Sequence, residues 1–184
     1  MTIAINHLFN VDEYYEMAAA GILKPDARVE LLEGEIIDMF PAGIGHNGPL
    51  GGLNAIFGAL ANGRWVTHSQ GPLRIDKHSE PMPDLLLLRP PWKRYTKAHP
   101  TPEDVFLLIE VSDSSLTYDQ SKKLPLYARA GVPEYWIINI PKRQVEVHRE
   151  PHYLGYEKTE IVKSGSIAPA AFPDAVIDVT ELLH

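Results

Sequence analysis

Two carboxylates interrupt the most apolar segments of the chain. Asp84 opens the run Asp84–Leu88, and Glu110 lies near the end of the apolar segment Val105–Val111. Burying a carboxylate without a partner costs several kcal/mol, so each needs a cation, a metal ion or a cleft that stays wet. A salt bridge at the end of a strand would also satisfy Glu110, and Asp84 could simply begin its strand. The pattern therefore leaves a chemical and a structural explanation open.

Two lysines follow the second carboxylate, within the segment Asp119–Pro125. Because proline has no amide N–H, it is tolerated only near the first turn of a helix, and we expect Lys122 and Lys123 near the N-terminus of a helix over Asp119–Ala130. Two cations there oppose the helix dipole, so replacing either is expected to cost no stability, and a bound phosphate would relieve the conflict. We expect one of the two lysines to point into solvent.

The combination of two carboxylates and a lysine has a recognisable chemistry. Two carboxylates can hold one hard divalent cation and leave most of its coordination sphere to water and phosphate. Such an ion neutralises charge that develops on a phosphodiester, while a lysine orients the attacking water or supports the phosphate. This is the chemistry of metal-dependent nucleases.

The amino-acid composition excludes several classes of fold and of chemistry. The chain has 184 residues, of which 45% are apolar, enough for one core and hence one domain over residues 1–184. Its 16 prolines and 13 glycines exclude a helical bundle and favour an α/β or α+β fold, and the absence of cysteine excludes thiolate chemistry. The apolar runs are too short to cross a membrane, and no secretory signal is recognisable, so we expect a soluble cytoplasmic protein. A net charge of −7 means that any binding to nucleic acid must use a local site.

Apolar periodicity predicts the elements that must position these residues. Helices are predicted over Val11–Ala20, with Asn10 or Asp12 as the cap, and from Pro49 onwards, with Asn47 as the cap. Extended segments are predicted at Arg28–Phe40 (a hairpin), Arg64–Gln70, Pro72–Ile75, Asp84–Leu88, Val105–Val111, Glu134–Ile140, Gln144–Arg149 and Tyr156–Val162.

One connection fixes the kind of sheet. The strand that ends at Val111, the helix over Asp119–Ala130 and the strand Tyr135–Ile140 have the length of a parallel crossover. The predicted hairpins pair antiparallel strands, so the sheet is predicted to be mixed. Val105–Ile109 is apolar on both faces, which predicts a central position in that sheet.

Several of these segments together resemble a known family. Pro83-Asp84, Ile109–Ser115 and Tyr118–Ile138 are similar to the Uma-type restriction endonuclease family, and Arg28–Ile36 and His46 extend the resemblance over nearly the whole chain. That family belongs to the PD-(D/E)xK nuclease superfamily. The resemblance implies a restriction-endonuclease-like fold, with a central mixed β-sheet flanked by helices. It also implies magnesium (or manganese) as the cofactor and nucleic acid, in particular DNA, as the substrate.

The resemblance also implies roles for individual residues. Asp84 corresponds to the aspartate of the PD motif and Glu110 to the second carboxylate, and both would be metal ligands. The superfamily's lysine normally stands two residues after that carboxylate, where this chain has Ser112. Uma-type members take the lysine from the following helix, which selects Lys123 over Lys122 as the catalytic lysine.

Glu30 and His46 carry weaker implications. Glu30 resembles the family's recurrent glutamate before a turn, and it faces either the catalytic site or the solvent side of its hairpin. His46 precedes the predicted second helix, where it would either contact a phosphate or cap the helix.

A basic loop joins the two strands that carry the carboxylates. Arg89–Pro100 holds Lys93, Arg94 and Lys97 among aromatic residues and has no acid. A position beside the metal would suit contact with a nucleic-acid backbone and base stacking, and Lys122 could add to it. An ordinary solvated loop is the alternative.

Two other classes of function stay open from the sequence. The chain could keep the nuclease fold as a binding or assembly module without catalysis, or it could hydrolyse another phosphoester with a metal ion. If it cleaves both strands of a duplex, a homodimer with two symmetry-related sites is the simplest arrangement.

Overall fold

The computed structural model describes residues 6–24, 26–39 and 44–183. The first helix, α1, spans Val11–Ala19, and Asn10 caps it as predicted: Glu13 N donates to Asn10 Oδ1 at 3.0 Å, and Asn10 N donates to Glu13 Oε2 at 2.8 Å. This reciprocal pair satisfies two backbone amides that a helix start leaves without partners. Within the described ranges, no helix is long and apolar enough to cross a membrane.

The predicted hairpin follows α1. Strands β1 (Val29–Leu32) and β2 (Glu35–Asp38) pair antiparallel around a turn, while Phe40 lies outside the described residues. The turn needs Gly34 for two reasons. Its φ of 82° is disfavoured for other residues, and a Cβ there would stand 2.6 Å from Leu8 Cβ. The turn of the hairpin therefore packs closely against the segment that precedes α1.

A six-stranded sheet forms the centre of the fold. Its order is β3-β4-β5-β6-β7-β8, and only β5 and β6 run parallel. The prediction of a mixed sheet with one parallel crossover is confirmed. The strands are β3 (Val66–Ser69), β4 (Leu85–Leu88), β5 (Val105–Ser112), β6 (Glu134–Asn139), β7 (Gln144–His152) and β8 (Gly155–Val162).

Helical segments cover the sheet. They are α2 (Ile44–Ala61), the run α3 (Leu116–Tyr118), a π-helical turn (Asp119–Lys123) and α4 (Leu124–Arg129), and the short α5 (Val179–Leu182). Two short 3₁₀ helices (Trp92–Thr96 and Pro102–Asp104) lie between β4 and β5, and a small separate pair β9 (Ser166–Ile167) and β10 (Ile177–Asp178) precedes α5.

The core occupies both faces of the sheet. On one face, Phe57 of α2 packs with Trp136 of β6, and on the other Tyr127 of α4 packs with Tyr135. Strand β5 contributes to both clusters, so its predicted central position is confirmed. Apolar contacts on two sides hold the ends of β4 and β5 in fixed positions.

Two predicted elements are wrong in detail. Helix α2 begins by Ile44, so Asn47 and His46 lie inside it and neither precedes it; its sixth residue is Pro49. Pro72–Ile75 is not a strand: its amides bond to loop carbonyls, for example Leu73 N to Pro81 O at 2.9 Å. The apolar pattern there reflects burial of Leu73 rather than pairing with a neighbouring strand.

Candidate active site

The two carboxylates meet at one end of the sheet. Strands β4 and β5 pair antiparallel with Leu85 opposite Ile109, which brings Asp84, just before β4, next to Glu110. Asp84 N donates to Glu110 Oε2 at 3.3 Å, and Val111 N donates to Asp84 Oδ2 at 2.9 Å. Both side chains are buried. The structure therefore places Asp84 directly before β4 and Glu110 on the adjacent strand β5, side by side as the sequence predicted.

Lys123 lies between two carboxylates. Its Nζ is 3.1 Å from Glu110 Oε1 and 3.2 Å from Glu30 Oε2, and the residue is only 5% exposed. Burial by itself would lower the pKa of Lys123, but the charges of Glu110 and Glu30 raise it above its ordinary value. The ammonium group therefore stays protonated inside the site.

Glu110 has a second donor besides this lysine. Tyr127 of α4 donates its hydroxyl to Glu110 Oε1 at 2.8 Å. Burial raises the pKa of Glu110 well above its usual range, Lys123 opposes that rise, and the charge of Asp84 adds to it. The two donors on Oε1 favour the ionised form of the carboxyl group.

Glu30 faces the site and not solvent. It is 3% exposed, and besides Lys123 its Oε2 accepts a bond from Met82 N at 3.2 Å. All four residues of β1 are buried, so both faces of this strand are covered by the rest of the fold. This burial decides between the two orientations that the sequence left open.

His46 contacts a carboxylate of the site. Its Nε2 lies 3.0 Å from Asp84 Oδ2, and its Nδ1 is buried without a hydrogen-bond partner in the described part of the chain. The bond with Asp84 raises the pKa of His46, against the effect of burial. Since His46 lies within α2, it is not a helix cap; it orients Asp84.

The helix that carries Lys123 differs from the prediction. Helical structure starts at Leu116, nine residues before Pro125, so Lys122 and Lys123 are not near its N-terminus. The π-helical turn explains how this proline is accommodated: Leu124 N bonds to Asp119 O, five residues back, and a new α-helix begins just before the proline. Lys122 is exposed, as expected for one of the pair.

Two residues of the site were missed from the sequence. Asp119 is 2% exposed, and its Oδ2 accepts bonds from Ser112 Oγ at 2.7 Å and Ser115 Oγ at 2.6 Å; the other is Tyr127. Asp119, Lys123 and Tyr127 recur every four residues, a spacing that places side chains on one face of a helix. This polar stripe was the signal in the sequence that could have identified both.

The basic loop Arg89–Pro100 lies away from the carboxylate site. It begins after Leu88, whereas the site begins at Asp84, and four residues of strand span about 13 Å. Because β4 and β5 run antiparallel, the loop that joins them stands at the end of both strands away from the site. The prediction that Lys93, Arg94 and Lys97 lie beside the proposed metal site is wrong, and Arg94 instead pairs with Asp104 at 2.8 Å.

The carboxylates line an open pocket with few cations. Arg28, His46 and Lys123 are the basic side chains on its wall. Its acidic side chains are Glu30, Asp38, Asp84, Glu110, Asp113 and Asp119. Within the described residues, no three His, Asp or Glu side chains converge as a metal cage made of protein ligands alone.

A mixed sheet of this order, with a carboxylate site at the ends of β4 and β5, defines a protein of the restriction-endonuclease-like fold. The chain is similar to the crystal structure of a "putative nuclease belonging to DUF820" from Anabaena variabilis, with a TM-score of 0.70, 16% identity, and coverage of 95% of this chain and 97% of that chain. Residues 11–180 match the Uma2 family, described as "Putative restriction endonuclease", so the chain belongs to this family. No curated protein matches it.

Proposed function

We propose that this protein is a metal-dependent endonuclease that hydrolyses DNA, with Asp84 and Glu110 as ligands of one magnesium or manganese ion. The observation that carries the proposal is the meeting of these two carboxylates in an open pocket with the Lys123 ammonium 3.1 Å from Glu110. Membership of the Uma2 family, described as "Putative restriction endonuclease", supports the nuclease class.

The ligands fit a hard cation. Carboxylate oxygens are the ligands that magnesium prefers, and it is commonly bound through one or two of them, with water and phosphate completing its shell. Hydrogen bonds from the described residues to the Asp84 side chain use Oδ2, which leaves Oδ1 for a metal ion. A bound ion would supply Lewis acidity and a water molecule of lowered pKa.

The other residues of the site act on charge and orientation. Lys123 holds a protonated amine beside the position of the scissile phosphate, where it stabilises the negative charge that develops in the transition state. Glu30 keeps this amine in place through its 3.2 Å contact. His46 and Tyr127 each bond to one metal ligand and fix its orientation, as partners of metal ligands commonly do.

The proposal is tested by nicking of supercoiled plasmid. The purified protein is expected to nick plasmid with magnesium or manganese and to lose this activity with a chelator. Parallel assays on single-stranded DNA, RNA and a small phosphodiester define the substrate. Hydrolysis of the small phosphodiester with no cleavage of any nucleic acid would replace the proposal by a general phosphoesterase.

A second candidate is a binding or assembly module without catalysis. It is favoured by the hydrogen bonds of Glu110, whose Oε1 is shared by Lys123 and Tyr127 and whose Oε2 accepts the Asp84 amide. Because both oxygens of Glu110 already accept hydrogen bonds from the protein, this carboxylate needs no metal ion as a partner. Calorimetric titration with manganese separates the two, since the nuclease is expected to bind an ion and the module none.

Other expectations from the sequence stay predictions. They are a single domain over residues 1–184, a homodimer, a cytoplasmic location, and contacts of Lys93, Arg94, Lys97, Lys122 and His46 with nucleic acid. Sedimentation that shows a monomer at high concentration would remove the homodimer.

Tyr127→Phe is expected to weaken manganese binding by roughly tenfold, because partners of metal ligands contribute about 10–100-fold to affinity. The variant removes the hydroxyl that donates to Glu110 Oε1, which disfavours the ionised carboxylate. Calorimetry with manganese measures the effect. Tyr156→Phe is the matched control: it removes a hydroxyl that donates to Val132 O, outside the site, and it should leave manganese affinity unchanged. Equal affinities of Tyr127→Phe and the parent protein would exclude the assigned role.

A further inference from the structure

We infer that Arg28 is the phosphate-binding residue of the pocket, an inference that rests on the proposed function and names the group through which substrate is held. A pocket lined by six carboxylates repels a polyanion, and one divalent cation offsets only two of these charges. Another cation must therefore face the substrate.

The other cations near the site do not meet this need. Lys123 is proposed to act on the reacting phosphate, but it is buried and the two carboxylates beside it, Glu110 and Glu30, offset its charge. Lys122 is exposed and does not line the pocket. The cations of the basic loop lie at the opposite end of β4 and β5.

The fold places Arg28 on the wall of the pocket. It directly precedes β1 and continues the hairpin, since Met39 N donates to Arg28 O at 2.7 Å. Side chains two residues apart in an extended strand point to the same face, which puts Arg28 on the side of Glu30. Arg28 lines the pocket together with the two proposed metal ligands.

Arg28 is exposed and has no ion pair within the residues that the structure describes. Five other arginines hold a carboxylate in an ion pair: Arg64, Arg74, Arg94, Arg129 and Arg149.

A guanidinium group suits this task. Its planar fork donates two parallel hydrogen bonds to a phosphate, which gives orientation as well as charge. With a single arginine at the pocket mouth, the protein would contact few phosphates at this site. Each phosphate neutralised on duplex DNA contributes about 0.9 to the slope of log affinity against log salt concentration, so the slope should be small.

The experiment compares the variants Arg28→Ala and Arg28→Lys with the parent protein. The control variant Lys77→Ala removes one positive charge from an exposed loop. Binding of a short fluorescein-labelled DNA duplex is followed by anisotropy at several salt concentrations, in the Asp84→Asn background and without divalent ions. Nicking of plasmid with manganese is measured in the otherwise unchanged protein.

Arg28→Ala should reduce kcat/KM by roughly tenfold or more, and the salt slope of binding by about 1, because it removes one phosphate contact. Arg28→Lys should keep the salt slope of the parent protein but have a lower kcat/KM, since lysine retains the charge and lacks the planar guanidinium group. Lys77→Ala should behave as the parent protein.

Failure of this inference differs from failure of the proposed function. If Arg28→Ala binds and nicks DNA as the parent does while Asp84→Asn does not nick, Arg28 is not the phosphate contact and the nuclease stands. If the parent protein does not nick plasmid, the proposed nuclease function is wrong, and the DNA-binding assay still tests the role of Arg28. A loss of DNA affinity in Arg28→Ala supports the phosphate contact of Arg28. A parent protein that binds no DNA at all excludes this contact.

Discussion

Asp84→Asn is expected to lower metal-dependent cleavage by about a thousandfold, since a catalytic cation supplies several kcal/mol of transition-state stabilisation and each 1.36 kcal/mol is worth a factor of ten. The amide keeps an oxygen that accepts bonds from His46 and from Val111 N, so the local fold should survive. Removing this charge also relieves its repulsion with Glu110, so the free energy of unfolding should not fall. Plasmid nicking and thermal unfolding measure the two effects.

Glu157→Gln provides the control for this variant, because it removes one negative charge from the exposed strand β8. It should leave both nicking and thermal unfolding unchanged. If Asp84→Asn retains the activity and the manganese affinity of the parent protein, Asp84 is not a metal ligand.

Lys123→Met is expected to reduce cleavage by about a hundredfold, because the loss of one preorganised charge-stabilising donor has effects of this size. It should also destabilise the protein without metal. The change leaves Glu110 and Glu30 buried without their shared cation, and breaking a buried pair in this way costs about 3–5 kcal/mol. Part of this loss is recovered when Glu110 takes up a proton, since its pKa is already raised by burial.

The same variant should respond more strongly to manganese than the parent does. At a pH where Glu110 is ionised in this variant, the ion no longer competes with a positive charge 3.1 Å from Glu110, so its affinity rises and it stabilises the variant more. Melting temperatures with and without manganese measure this difference. Lys122→Met is the control for stability, since this neighbouring lysine is exposed and its replacement should leave the melting temperature unchanged.

These results separate two accounts of Lys123. A lysine near a helix N-terminus, as the sequence indicated, would leave the melting temperature unchanged or higher when replaced. The buried ion pair seen in the structure reverses that sign. Full activity of Lys123→Met together with a lowered melting temperature would assign Lys123 a structural role only.

The sequence by itself determined the central strands β4 and β5 and the carboxylates at their ends. Period-two and continuous apolar patterns identify β4 and β5, and a charge inside such a run stands out because burial makes it costly. The crossover between β5 and β6 followed from its length, and the resemblance to the Uma-type family supplied Lys123. These features depend on residues close together in the chain, or on one connection whose geometry is constrained.

The tertiary structure alone decided how distant segments meet. Burial of β1 turned Glu30 inward, and the antiparallel direction of β4 against β5 carried the basic loop away from the site. The π-helical turn placed Lys123 between two carboxylates, a contact no helix rule supplies because it depends on β1 and β5 together. Local patterns record which side of an element is buried, but they do not record which other segment covers it, because that depends on packing between residues far apart in the chain.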